Sequence, residues 1–102
     1  MRAALCLLLL GAAPVSVDLP TSDTQFAPVA GVSAEAINAN CLACHSAEMV
    51  TNQPRLTQTQ WTATVAKMRG AFHAPVDPAD DAAIIAWLTA WSAQQATSES
   101  TR

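Results

Sequence analysis

The sequence predicts an all-α domain built from three helices, and three observations lead there. Apolar residues recur at helical spacing in three separate stretches. Each stretch is preceded by residues that start helices, and no clear run alternates apolar with polar residues as a half-buried strand does. The domain is expected over residues 32–92, after a linker or extended arm at 17–31 and before a polar tail at 93–102.

The arm carries Pro20 and Pro28 and no helical or alternating period, so its local chemistry favours extended chain. Ser33 is placed to cap the first helix, with Val32 before it and Ile37 four residues into the helix as a hydrophobic staple. Ile37, Cys41 and Cys44 then share one face. A loop containing Pro54 follows. Thr57 and Gln60 form a capping-box pair that opens the second helix, and Leu56 with Trp61 supplies another staple. Trp61, Val65 and Met68 make its stripe, and Gly70 is expected to end it in a left-handed conformation. The third helix opens with Asp77 as cap and Pro78 in the first position, while Asp80 and Asp81 lie in the positive first turn. Ile84, Leu88 and Trp91 make its stripe, flanked by Ile85 and Trp87, and the tail from Ser92 is expected to fray.

Cys41, Cys44 and His45 lie in the run CLACH, and Cys-x-x-Cys-His reads as a c-type haem attachment site. Two thiols at i and i+3 project from one helical face, where they can form thioethers to the two vinyl groups of one porphyrin. The adjacent imidazole can then serve as the proximal iron ligand. Two other chemistries use such residues. A dithiol oxidoreductase needs a βαβ context that the pattern lacks. A zinc site needs four well-spread ligands, whereas Cys44 and His45 are adjacent and only His73 remains to help.

Residues 1–16 read as a secretory signal peptide: Arg2, an apolar stretch Ala3–Leu10, then the small residues Gly11–Ala13. The apolar stretch is too short to span a bilayer, and no single small-x-small site fixes the cut. An uncleaved apolar anchor is the other reading, and Cys6 leaves with a cleaved leader. Export agrees with the motif, because enzymatic haem c attachment takes place outside the bacterial cytoplasmic membrane. A periplasmic protein with no membrane span after leader removal is therefore expected. The formal net charge of −3 and the absence of a basic run give nucleic-acid binding no support. What remains is near the size at which a core needs reinforcement, and a covalent porphyrin supplies it.

The sixth iron position has three readings. Met49 follows His45 by only four residues and belongs to the proximal side, so Met68 is the candidate distal ligand. His73, in AFHAP, is the rival, and its imidazole would give a lower reduction potential; an open site is the third reading. Trp61 and Phe72 are expected to wall the pocket and exclude water, although plain packing accounts for both equally well. Lys67 and Arg69 flank Met68, where they can steer an acidic partner or simply be solvated.

A haem motif near the front, a methionine in the middle and an aromatic-bearing terminal helix together resemble the class I cytochrome c fold over residues 33–91. In that family a carbonyl of a proline-bearing loop accepts the proximal histidine's other N–H. The resemblance offers Pro54 in QPRL for this role and Arg55 for a haem propionate. The runs CLACHSAEMV, QPRL, WTATVAKM, HAPVDPADD and IIAWL are more closely similar to the small haem c subunit of bacterial sulfite dehydrogenases. That likeness implies attachment at Cys41 and Cys44, proximal His45 and distal Met68. It also implies a molybdopterin-containing catalytic partner that passes single electrons from sulfite oxidation through this haem to a soluble cytochrome acceptor. Related small cytochromes serve other dehydrogenases, so a free-standing electron shuttle is the alternative. A five-coordinate haem that senses gases is a further one. The chain carries no nucleophile triad, paired catalytic acids or phosphate loop, so it is not expected to be catalytic alone.

Overall fold

The computed structural model describes residues 14–102. The expected leader up to Ala13, with Cys6, lies outside the described residues. Four α-helices and one 3₁₀ turn make up the regular structure: α1 (Glu35–Cys41), α2 (Ala47–Thr51), α3 (Gln58–Gly70), the turn Pro78–Asp80, and α4 (Asp81–Ser100). The described residues are therefore all-α, with one isolated bridge between Val29 and Val32.

Residues 14–25, the last three positions of the expected leader and the first part of the expected arm, are exposed and without regular structure, but the chain joins the core at Phe26. Asn38 on α1 holds this point from both sides: its Oδ1 accepts from the Phe26 N–H at 2.9 Å and its Nδ2 donates to the Phe26 carbonyl at 3.0 Å. The Phe26 ring stands edge-on to Trp87, with centroids 5.0 Å apart, and the Trp87 indole donates to the Ala27 carbonyl at 2.9 Å. The stretch 26–31 is thus part of the domain and not linker. Apolar Phe26 and Val29, both buried, carry it inward. Between Val29 and Val32 the chain reverses through Ala30 (φ 50°) and Gly31 (φ 80°), two left-handed residues in the pattern of a type I′ turn. Gly31 meets this demand at no steric cost, whereas Ala30 adopts it against its Cβ.

Helix α1 starts at Glu35, and the Ser33 hydroxyl accepts the Glu35 N–H at 3.2 Å, so the expected cap acts from one residue further out. Ile37 is fully buried. The loop expected between His45 and Thr57 contains the short helix α2, which follows Ser46 and has Glu48 in its positive first turn. Thr57 and Gln60 form the predicted capping box on α3, with the Thr57 N–H donating to Gln60 Oε1 at 2.8 Å.

Gly70 is not the left-handed residue beyond that helix. The positive φ falls three residues later at His73 (54°), after Ala71 has continued the helical path, and the Ala74 N–H closes a wide turn onto the Met68 carbonyl at 3.0 Å. Asp77 caps the Pro78–Asp80 turn through the Ala79 N–H at 2.9 Å, and α4 follows directly. The polar stretch expected to fray after Ser92 instead stays helical to Ser100. Gln95 Nε2 donates to the Thr51 carbonyl at 3.2 Å, and Arg55 pairs with Glu99 at 2.9 Å. Tertiary clips of this kind sustain a helix that polar composition alone leaves marginal.

Phe26→Ala should cost about 3–5 kcal/mol of unfolding free energy through the cavity left beside Trp87. Leu19→Ala, on the exposed arm, should stay within about 0.5 kcal/mol. Denaturant unfolding of the two variants checks the boundary between arm and domain.

Candidate functional site

A cleft of about 540 Å³ opens between α1, α2, α3 and α4, and its lining contains Cys41, Cys44, His45 and Met68 together. Each arrives by a different local route. Cys41 is the last residue of α1 and is half-buried; Cys44 lies in the turn that follows and is exposed; His45 precedes the Ser46 cap of α2. Met68 comes from the last turn of α3, on the stripe that Trp61 and Val65 begin. Ile84 and Leu88 of α4 form the apolar floor, with Val76 from the preceding loop. The volume falls in the usual range for small-molecule and cofactor sites. A wider groove of about 930 Å³ between residues 52–57 and α4 is open and polar, and it contains none of the four.

Both thiols are free. Burial, reinforced by the neighbouring Cys44, pushes the Cys41 thiol up to about 11, so it stays protonated at neutral pH. Among the described residues no three His, Cys, Asp or Glu side chains converge as an ion-holding group.

The other candidate residues differ in where they lie relative to the cleft. Met49 lines the same cleft, brought there by α2, although it is 58% exposed at the rim. His73 is exposed and lies outside the lining. Trp61 is a buried wall, whereas Phe72 is an exposed rim residue with Lys67 Nζ 5.8 Å from its ring centroid. Pro54 borders the polar groove, and His45 Nδ1 lies 3.4 Å from the Ser46 carbonyl. Arg55 is committed to Glu99 and does not line the cleft. Arg69 forms a forked pair with Asp81 and donates through Nε to the Val76 carbonyl at 3.2 Å. That pair raises the guanidinium's pKa and ties α3 to the start of α4. Lys67 and Arg69 are therefore not equivalent surface charges. Val76, Ile84 and Leu88 had no functional signal in the sequence, where apolar stripe positions read as core.

Glu48, in the first turn of α2, meets the arm. Its own backbone N–H, then the hydroxyls of Ser46, Thr24 and Ser22, hold its carboxyl below the ordinary value; Ser22 Oγ lies 3.3 Å from Oε1. A scan against protein-family models gives no match to this chain, and a search of characterised proteins gives no similar sequence.

Because the folded state lowers the Glu48 pKa, the contacts with Ser22 and Thr24 are complete above the ordinary carboxylate value and weaken as pH falls through the lowered one. The amide resonances of Ser22 and Thr24 should follow that titration with a midpoint below 4.5. In Glu48→Gln the acid-range change should vanish.

Proposed function

We propose that this chain is a mono-haem c-type cytochrome of the periplasm that carries single electrons, and that it serves as the haem subunit of a molybdopterin-containing sulfite dehydrogenase. The observation that carries the first part is the gathering of Cys41, Cys44, His45 and Met68 around one apolar cleft. A haem, when bound, supplies an iron that gains and loses one electron with little rearrangement of its ligands.

The donor set fits that group. Two free thiols three residues apart match its two vinyl positions, and His45 and Met68 offer nitrogen and thioether ligands from separate elements. Trp61, Val65, Ile84 and Leu88 exclude water, and a dry site disfavours the additional charge of the ferric state. The partner rests on the likeness of CLACHSAEMV, WTATVAKM and HAPVDPADD to sulfite dehydrogenase haem subunits. In this reading the exposed rim at Met49 and Phe72 lies where the electron enters from the catalytic subunit and leaves to a soluble cytochrome.

Protein matured in a host that attaches haem c should keep haem colour on a denaturing gel. Cys41→Ala or Cys44→Ala should lose the haem or hold it by a single thioether, as read from the pyridine haemochrome spectrum. Two intact cysteines with no bound haem would refute the assignment.

Met68→His should abolish the weak long-wavelength ferric band of methionine ligation. It should also lower the reduction potential by at least about 59 mV, a tenfold change for one electron. Met49→His should leave both near wild type. Persistence of the band without Met68 would move the ligand elsewhere, and ready carbon monoxide binding by the wild type would favour the open-site gas binder.

A further inference from the structure

Ser92 is a polar residue on an apolar stripe. Ile84, Leu88 and Ser92 recur every four residues along α4, and the first two line the cleft. Ser92 is only 7% exposed, yet it does not line the cleft itself. Its Oγ accepts from Trp61 Nε1 at 2.9 Å and from the Leu56 N–H at 3.4 Å, and both of those residues are cleft walls.

An apolar side chain at 92 would fill the same space but strand the N–H of an indole that is 3% exposed. The hydroxyl therefore does more than fill volume. It gives Trp61 one preferred ring orientation, because the bond is directional and the dispersion contacts around the ring are not. It also commits the indole N–H to α4, so that this donor is turned to the protein and not into the cleft.

We propose that Ser92 is a positioning residue of the redox centre: through Trp61 it fixes the wall that keeps water from the cleft, and so holds the reduction potential up. The proposal rests on the haem reading above. With the hydroxyl removed, the indole loses its anchor and its ring can rotate away from the wall. Water that enters then stabilises the more highly charged oxidised state, and the potential falls.

The test compares the haem-loaded full chain with Ser92→Ala, Ser92→Thr, Trp61→Phe and the double variant Trp61→Phe/Ser92→Ala by spectroelectrochemical titration and thermal melting. Ser92→Ala should lower the ferrous-to-ferric ratio at a fixed applied potential by about tenfold, or about 59 mV for one electron. Ser92→Thr keeps the hydroxyl and should restore the wild-type ratio. In the Trp61→Phe background, which lacks the indole donor, Ser92→Ala should add no further shift. A Ser92→Ala protein that melts earlier but keeps the wild-type potential would overturn the proposal and leave Ser92 a purely structural residue. Should Ser92→Ala fail to retain haem, Trp61→Phe reads the same bond from its other end: a fall in potential supports the proposal and a wild-type value overturns it. Wild-type chain that carries no covalent haem would instead overturn the haem reading, and this inference with it.

Discussion

Ile84, Trp87 and Leu88 are each no more than 4% exposed, although they point from adjacent faces of α4. One face meets the cleft and α3, and the other meets Phe26 and the Ala27 carbonyl. A helix covered on two sides in so small a domain needs an element on each side. The second is supplied by a piece of chain with no regular structure, clamped by Asn38. Remove the double burial of α4 and neither the floor of the cleft nor the seat of the arm has anything to rest on. The forked Arg69–Asp81 pair and the Asn40–Asp80 bond at 2.8 Å then fix the start of α4 against α3 and α1.

That arrangement explains why a site can be assembled from residues far apart in sequence. The two thiols and His45 come within a few residues of one another at the end of α1, where local geometry sets their spacing. Met68 comes from the far end of a helix whose beginning is locked by the Thr57–Gln60 capping box and by the Trp61 contact with α4. The position of the thioether is thus set mainly by the register of α3 against α4, a tertiary matter, and the position of the thiols mainly by one turn of chain.

The sequence was most legible where chemistry is local. The capping box at Thr57, the Asp77–Pro78 start and the buried stripes Trp61/Val65 and Ile84/Leu88 appear in the structure at the residues that signalled them. It was least legible where tertiary contacts decide. Nothing around Pro28 announced that Phe26 would be buried against Trp87, because one aromatic in an aperiodic stretch has no pattern to betray it. Polar residues 93–100 remain helical through clips to Thr51 and Arg55, which lie some forty positions away. The left-handed residue fell on His73, since a turn forced by its surroundings can override the preference for glycine. At the site, Cys41, Cys44, His45 and Met68 were all named by motif or stripe. The helix α2, which brings Met49 to the rim, lies in a stretch whose sequence reads as loop.

The walls of the cleft and the centre of the fold are the same residues: Ile37, Trp61, Val65, Ile84 and Leu88 are all buried and all line it. An unfolded chain offers no such surface, so whatever fills the cleft binds the folded state alone and shifts the folding equilibrium by mass action. If the filling group is covalently tethered, it is present at a fixed and high local concentration and cannot be diluted away. In the haem reading proposed above, part of the stability is therefore conferred during maturation. A chain caught before that step and the same chain after it are, thermodynamically, two different proteins.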